Sequence, residues 1–128
     1  MDQIANMLVS IKNAGTAGKS SATVPFSAMK ERIAATLFQY GYIASYAKKG
    51  KKSIKTLEIG IAYNDKTPRV TEVSRISKSS RRVYMKASEL KPVRNGYGLL
   101  VLSTPKGIMA SGEAKKAQVG GEALFKIW

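Results

Sequence analysis

The sequence predicts an α+β fold, in which an N-terminal α/β domain is packed against a β-rich C-terminal domain with one short helix. In the first half of the chain, two amphipathic helical patterns alternate with strand patterns in the order α-β-α-β-β. Beyond the polar, turn-forming residues 64–68, almost every pattern is a short strand or a turn. We therefore assign the two domains to residues 1–64 and 69–128.

The first helix and strand follow from simple spacing rules. Apolar residues near the amino terminus recur at the helical spacing i, i+3, i+4 and i+7: Ile4, Met7, Leu8 and Ile11. Gly15 is expected to end this helix. A short strand follows at residues 22–25, and Pro25 restricts it to the edge or the end of a sheet because proline donates no ladder hydrogen bond.

A second helix is expected to begin after Ser27 and to end before Gly41, which suits the C′ position. Its apolar stripe is predicted to contain Met29, Ile33, Leu37 and Tyr40. Lys30 lies in the first turn, where a cation opposes the helix dipole. An external anion would relieve that repulsion, and a solvated Lys30 is the alternative.

Two strand patterns then predict a hairpin, with arms at residues 42–47 and 54–63 and a basic turn at 48–52. The second arm alternates cleanly and places Leu57, Ile59, Ile61 and Tyr63 on one face. The two helices should cover that face. The lysines around Gly50 either grip phosphates or form a solvated tip.

The second domain is predicted to be mostly β. Its expected elements are strands at 70–76 and 83–86, a turn at 96–98, a strand at 99–102 extended by 108–110, a helix capped by Ser111 that reaches Ala117, and a closing strand at 123–128. The run Leu99-Leu100-Val101-Leu102 indicates a strand buried on both faces. That strand should mount the following turn rigidly.

The turn Ser103-Thr104-Pro105-Lys106-Gly107 is the predicted recognition element. It offers two hydroxyls, backbone amides and one ammonium, which suit ribose, base edges and phosphate better than an apolar ligand. An ordinary surface loop is the alternative, because these residue types are common in turns.

Charge and composition limit the classes of function that the chain can have. The chain has 22 Lys+Arg against 8 Asp+Glu, a formal charge of +14, spread over both halves. A polyanionic partner best accounts for this excess. No cysteine or histidine is present, which excludes disulfides, thiolate chemistry and imidazole bases. Without a signal-peptide pattern or a membrane-length apolar run, we expect a cytoplasmic protein that binds no membrane.

Enzyme motifs are incomplete. Gly18-Lys19-Ser20 imitates the end of a phosphate-binding loop, but the glycine expected five positions earlier is Asn13. Ser103 and Lys106 match Ser-x-x-Lys without the accompanying β-lactamase motifs. The eight carboxylates form no obvious pair. We therefore expect no catalytic activity, no cofactor and no metal.

Short motifs along the whole chain are similar to those of one protein family. They are Asp2-x-Ile4-Ala5-x-Met7-Leu8 with Ile11-Lys12-Asn13-Ala14, Val24-Pro25-x-Ser27-x-x-Lys30, Gly41-Tyr42-Ile43, Arg75-Ile76-Ser77-Lys78 with Arg81-Arg82-Val83-Tyr84, Gly96-x-Gly98, Leu102-Ser103-Thr104-x-Lys106-Gly107 and Gly120-Gly121-Glu122. In their order and spacing the chain resembles bacterial small-subunit ribosomal protein eight. The resemblance implies the same two-domain division and binding to the central domain of small-subunit ribosomal RNA, at an irregular helix, during assembly.

The resemblance also implies which residues meet the RNA core: Ser103, Thr104, Tyr84 and Glu122. Small hydroxyls and flat rings suit the 2′-hydroxyls and exposed bases of irregular RNA. For Tyr84 the alternative is a core tyrosine, and for Glu122 it is a carboxylate that fixes the loop. Pro105 departs from the serine or asparagine usual in the family, which removes one side-chain hydrogen bond.

Further RNA-binding residues complete the prediction. They are Gly107 in the loop and, as phosphate contacts, Lys30, Lys55, Arg82, Lys86 and Lys106. The expected partners are small-subunit ribosomal RNA and neighbouring small-subunit proteins, with protein five among them; outside the ribosome we expect a monomer. A repressor that binds a messenger RNA mimic of the ribosomal site, or a nucleoid-type DNA-binding protein, is the alternative function.

Overall fold

The computed structural model describes residues 2–51, 53–78, 80–90 and 98–128. These residues form two compact units, one from Gln3 to Thr71 and one from Glu72 to Trp128 that also includes Asp2. The predicted fold class is confirmed: the first part alternates helices and strands, and the second is β-rich with one short helix. Lys52, Gly96 and Tyr97, which belong to predicted turns, lie outside the described residues.

The first unit is a three-stranded antiparallel sheet with two helices. Its elements are α1 (Gln3–Thr16), β1 (Ser21–Pro25), α2 (Ala28–Gln39), β2 (Ile43–Lys51) and β3 (Ile54–Ile61). The strand order is β1-β3-β2, so the proline-containing β1 lies at an edge, as predicted. Both helices contact the sheet, and the alternating side chains Leu57, Ile59 and Ile61 are buried. The buried residues of β3 are therefore ones that the alternating pattern predicts.

Helix α2 has the predicted ends but a different buried face. The Ser27 hydroxyl accepts a hydrogen bond from the Lys30 N–H at 3.1 Å, and Gly41 has a φ of +78° just past the helix. Met29 and Tyr40, predicted to be core residues, are exposed, whereas Lys30 is buried. The apolar stripe was wrong at its ends because the lysine's aliphatic stem covers core surface while its ammonium reaches a carbonyl.

The hairpin of the first unit is longer than predicted. Strand β2 continues through the lysines to Lys51, which pairs with Ile54. Only positions 52 and 53 lie between the strands, so the predicted five-residue turn was wrong. Gly50 permits this geometry because its φ is +108° and a side chain there would collide with the Ile54 carbonyl. The edge strand β2 accommodates lysines because their side chains can reach solvent.

The polar residues 64–68, which we placed between the two predicted domains, belong to a paired element. Strands β4 (Tyr63–Asn64) and β5 (Thr67–Pro68) form a two-stranded antiparallel hairpin within the first unit. Asp65 in the turn has a φ of +57°, a conformation that aspartate tolerates better than most residues. These residues are polar and turn-forming, and the structure pairs them in a short hairpin.

The second unit is an antiparallel sheet built around its last strand. Its elements are β6 (Val73–Arg75), β7 (Tyr84–Met85), a 3₁₀ turn (Ala87–Glu89), β8 (Leu99–Thr104), β9 (Gly107–Ala110), α3 (Ser111–Lys116) and β10 (Gly121–Ile127). The strand order is β6-β10-β8-β9, and β7 also pairs with β10. Because β10 pairs with three strands, its first residues join β7 and β8 into one surface.

Strand β8 is buried on both faces, as predicted. Residues Leu99 to Leu102 are all buried, and one face packs in a cluster that includes Leu90, Ala114 and Ala123. Asp2 accepts hydrogen bonds from the guanidinium of Arg75, at 2.9 and 3.3 Å. The turn that follows β8 therefore starts from a strand that is buried on both faces.

Candidate nucleic-acid interface

Three predicted site residues lie side by side across the second sheet. Tyr84 on β7 pairs with Glu122 on β10, and Glu122 pairs with Ser103 on β8. Directly opposite residues on antiparallel strands project from the same face of a sheet. We call Tyr84, Glu122 and Ser103 the cross-strand row. The structure thus brings together residues that lie far apart in the sequence.

Two glycines allow the strands of the row to approach. A side chain at Gly120 would collide with the Met85 carbonyl, and one at Gly121 would collide with the Ser103 carbonyl. Only a residue without a Cβ fits between two backbones at this separation. The pair of glycines before Glu122 therefore fixes the spacing of the row.

The turn after β8 is a tight hairpin between Thr104 and Gly107, which pair across the strands. The Thr104 hydroxyl donates to the Gly107 carbonyl at 2.8 Å and accepts from the Lys106 N–H at 3.1 Å. Gly107 has a φ of +115°, a conformation that favours glycine. Thr104 is buried, while Pro105 and Lys106 are exposed. The Thr104 hydroxyl therefore shapes the turn.

Glu122 is held by two partners. Its carboxylate accepts hydrogen bonds from the Ser77 hydroxyl and from the Arg82 guanidinium, the latter at 3.0 Å. The side chain is only 17% exposed. The Ser77 hydroxyl is the main cause of a lowered Glu122 pKa; burial opposes the shift, and the Arg82 hydrogen bond and the charges of Arg82 and Arg75 add to it. The alternative predicted for Glu122, a carboxylate that fixes local structure, matches this geometry.

Ser77 lies in the family motif Arg75-Ile76-Ser77-Lys78 but was not among the predicted site residues. It is fully buried, and its hydroxyl also accepts the Val83 N–H at 3.2 Å. Its local sequence does not show which distant strand its hydroxyl contacts. Its importance depends on β10, which lies more than forty residues away in the chain.

Tyr84 and the nearby cations are accessible. Tyr84 is 69% exposed, so the alternative of a core tyrosine was wrong. Arg82 and Lys86 lie two positions before and after it, and Lys106 lies in the hairpin turn beyond Ser103; all three are exposed. We call Arg82, Lys86 and Lys106 the basic rim. The rim and the row together offer an aromatic face, a hydroxyl and three cations.

The two predicted site residues of the first unit, Lys30 and Lys55, differ in their exposure to solvent. Lys30 is buried, and its ammonium donates to the Pro25 carbonyl at 2.8 Å. This placement gives Lys30 a structural contact within its own unit, so we leave it out of the interface. Lys55 is exposed on β3, opposite Gly50. Its ammonium is accessible to a phosphate.

Other kinds of site find no support in the described part of the chain. No group of three carboxylates there could hold a metal ion. No described helix combines the length and the apolar character needed to cross a bilayer. The chemistry that the cross-strand row and the basic rim do offer is charge, hydrogen bonding and the exposed ring of Tyr84.

Comparison with known proteins identifies the family. The family model described as Ribosomal protein S8 matches residues 2–128. The small ribosomal subunit protein uS8 of Dictyoglomus thermophilum is 42% identical over 127 residues, which cover 99% of this chain and 97% of the relative. Those of Mycoplasmopsis agalactiae and Nitrobacter hamburgensis are 40% and 43% identical, with the same coverage. The sequence resemblance is thereby confirmed, and the chain belongs to the ribosomal protein S8 family.

Proposed function

We propose that the chain is a structural protein of the small ribosomal subunit that binds the central domain of small-subunit ribosomal RNA and helps its assembly. The observation that supports this most is the cross-strand row, which brings an exposed ring and a hydroxyl together on one face of the second sheet. Relatives over the whole chain are named as small-subunit proteins. The family is structural rather than catalytic, and we propose no enzymatic activity.

The exposed ring of Tyr84 provides a stacking surface for one unpaired base. Sequence-specific recognition of RNA uses bulged and unstacked bases, which stack on aromatic side chains. The backbone of Tyr84 is paired with β10, so little backbone ordering is needed when a base arrives. Tyr84 therefore supplies contact area at a low entropic cost.

Ser103 and the hairpin turn provide the polar contacts. Ser103 is half-buried at the end of β8 and presents a hydroxyl that can donate and accept, as a ribose 2′-hydroxyl can. Thr104 acts indirectly, by holding the turn in the shape that presents Pro105 and Lys106. Gly107 contributes its backbone conformation.

The basic rim and Lys55 provide phosphate contacts. Each exposed cation that meets a phosphate releases condensed counterions, which favours binding without selecting a sequence. The row would then supply the selectivity and the cations most of the affinity. We propose a cytoplasmic, ribosomal location, with neighbouring small-subunit proteins, protein five among them, as further partners.

Two other functions would use the same surface. A repressor of translation would bind a messenger RNA that imitates the ribosomal site, through the same row. A nucleoid-type DNA-binding protein would need only the positive charge. The row favours RNA over duplex DNA, because a stacking ring finds no unpaired base in an intact duplex.

A competition experiment tests the proposal. The whole protein is bound to a fragment of small-subunit ribosomal RNA from the central domain, and duplex DNA or a large-subunit RNA fragment of equal length is added as competitor. We expect the central-domain fragment to resist both competitors. Lys106→Ala should weaken binding to every RNA alike, whereas Lys126→Ala, an exposed lysine at the other end of β10, serves as the matched control. Equal competition by duplex DNA would contradict the proposal.

A further inference from the structure

We propose that Lys78 and Arg81 form a clamp for one backbone phosphate of the bound RNA, in addition to the cross-strand row and the basic rim. The inference rests on the proposed function, because the phosphate belongs to the same RNA. Both residues are exposed, and neither was among the predicted site residues. We call Lys78 and Arg81 the phosphate clamp.

The two cations of the clamp lie directly opposite each other. They form an isolated antiparallel bridge, in which the Lys78 N–H donates to the Arg81 carbonyl at 2.9 Å and the Arg81 N–H donates to the Lys78 carbonyl at 3.0 Å. Residues that exchange both hydrogen bonds have Cα atoms about 5.5 Å apart. Their side chains project from the same face. The backbone therefore brings two positive charges to one place.

The backbone on both sides of the bridge is joined to β10. The Ser77 N–H donates to the Ala123 carbonyl at 3.0 Å, and the Ala123 N–H donates to the Val83 carbonyl at 2.9 Å. The Ser77 hydroxyl, which is fully buried, also accepts the Val83 N–H at 3.2 Å. Because Ser77 and Val83 flank the clamp, its backbone needs little ordering when RNA binds.

The described part of the protein supplies no carboxylate for this pair of charges. Nearby Arg82 has an acidic partner, Glu122, at 3.0 Å, whereas no described acid lies within ion-pair distance of Lys78 or Arg81. Like charges directly opposite each other destabilise an antiparallel pair. An external anion would turn this repulsion into two attractive contacts, which indicates a binding role for the pair.

A phosphate of RNA fits the clamp in position and in chemistry. Arg81 precedes Tyr84 by three residues, which span at most about 11 Å of extended chain. A base stacked on Tyr84 therefore brings the backbone of its own strand near the clamp. A phosphodiester has two unesterified oxygens, and a guanidinium and an ammonium are the two side-chain groups that bind phosphate most often.

Reversal of one charge should change RNA affinity and stability in opposite directions. Lys78→Glu places a carboxylate opposite Arg81, so the free protein should be more stable than wild type at low salt. Its RNA affinity should fall at least about tenfold at about 0.1 M salt, the contribution of one lost phosphate contact. A residue that only supported the fold would not give a more stable protein that binds RNA less tightly.

Lys126→Glu is the matched control for this reversal. Lys126 is an exposed lysine of β10 that lies opposite Ser74 and Leu100, with no cation across from it. The change in net charge is the same, but it acts on RNA only through screened solvent. We expect RNA affinity to fall by less than about threefold, and the free protein to gain less stability than in Lys78→Glu.

Alanine variants test whether the two cations share one phosphate. Lys78→Ala and Arg81→Ala should each weaken RNA binding. Because both side chains meet the same phosphate, the double variant should lose less affinity than the product of the two separate losses. Its log–log plot of affinity against salt should be shallower than that of wild type by about one, where two separate phosphates would give about two.

The experiment titrates the central-domain RNA fragment with the whole proteins at several salt concentrations, and denaturant unfolding of each free protein confirms its fold. The alanine variants carry the test if Lys78→Glu does not fold. Lys78→Glu with the affinity of Lys126→Glu, or a double alanine variant with the wild-type salt slope or with fully multiplied losses, would overturn the clamp and leave the proposed function standing. Failure of wild type to prefer the fragment over duplex DNA would overturn both.

Discussion

Tyr84 is an exposed ring fixed to a paired strand, so its contributions to folding and to binding can be separated. At 69% exposure it contributes little to the core. Tyr84→Ala should weaken RNA binding by about 1–3 kcal/mol, the contribution of one stacked base, whereas Tyr84→Phe should keep most of the affinity. Binding titrations at fixed salt measure both variants, and thermal unfolding should show unchanged stability.

Phe38→Ala provides the control for this prediction. Phe38 is also an aromatic residue, 50% exposed, on α2 of the first unit. Its loss should leave RNA affinity unchanged. Equal losses in Tyr84→Phe and Tyr84→Ala would contradict stacking, because they would mean that the Tyr84 hydroxyl makes the important contact.

Thr104 tests whether the hairpin turn acts through its shape. Thr104→Val keeps the volume but loses both hydrogen bonds of the hydroxyl, so we expect a loss of about 1 kcal/mol of stability per bond and weaker RNA binding. Thr104→Ser keeps the hydroxyl and should retain both properties. Chemical denaturation and RNA titration of the two variants check this. A Thr104→Val variant with normal RNA affinity would show that the turn's shape is unimportant.

Substitutions at Ser103 and at Pro105 should change RNA affinity by different amounts. Ser103→Ala should weaken RNA binding without affecting stability. The hydrogen bonds that hold the turn are made by the Thr104 hydroxyl and not by that of Ser103. Pro105→Ser gains a hydroxyl but loses a rigid residue, effects of about 1 kcal/mol each and opposite in sign. We therefore expect Pro105→Ser to change affinity less than Ser103→Ala. Titration of the pair at one salt concentration decides this, and the reverse order would contradict the role of the Ser103 hydroxyl.

The lowered pKa of Glu122 predicts a dependence of stability on pH. Its ordinary value is 4.5, and the Ser77 hydroxyl is the main cause of the shift below it. A carboxyl whose pKa is lower in the folded state stabilises the fold above its unfolded pKa, and this contribution is lost as the pH falls through the folded value. Unfolding free energy should therefore fall more steeply in wild type than in Glu122→Gln below about pH 4.5. Parallel curves would contradict the assignment.

At the scale of elements, β10 begins where its backbone lies very close to the backbone of β8. Gly121→Ala places a methyl group against the Ser103 carbonyl, and we expect a destabilisation of at least about 1–3 kcal/mol. Gly112→Ala in α3 is the matched control, because no atom lies within 4 Å of the added carbon. It should be neutral or stabilise by roughly 0.5–1 kcal/mol. Denaturant unfolding compares the two, and similar effects would refute the close approach of the strands.

Elements whose ends are set by local chemistry were predictable from the sequence. The Ser27 cap and Gly41 define α2, and the branched run at Leu99 defines β8. The extension of β2 through its lysines was not predictable, because an edge strand beside solvent needs no apolar alternation. The hairpin within 63–68 was missed for a similar reason, since its strands are only two residues long.

The site was predictable in part. Tyr84, Ser103 and Glu122 were identified by the family resemblance, and their positions in one row follow from strand pairings that link distant segments. Ser77 was missed because its role depends on such a pairing. Lys30 was wrongly expected to be exposed, because the sequence does not show that its ammonium reaches the Pro25 carbonyl. Local chemistry is visible in a sequence, whereas contacts between segments require the fold.

At the scale of the whole molecule, the net charge of +14 predicts a strong dependence of RNA affinity on salt. The logarithm of the binding constant should fall linearly with the logarithm of salt concentration, because each phosphate contact releases counterions. Lys106→Ala should make the slope shallower by somewhat less than about one, and Lys126→Ala should leave it unchanged. Titrations at several salt concentrations measure the slopes. A flat plot for wild type would contradict the phosphate contacts.

The central claim is that the cross-strand row and the basic rim select small-subunit ribosomal RNA. The most direct test is to purify the whole protein from cells, sequence the RNA that remains bound, and repeat this with a Tyr84→Ala, Lys106→Ala double variant of confirmed fold. We expect the central domain of small-subunit ribosomal RNA to be enriched with wild type and lost with the variant. Equal enrichment with the variant, or recovery of DNA or unrelated RNA with wild type, would contradict it.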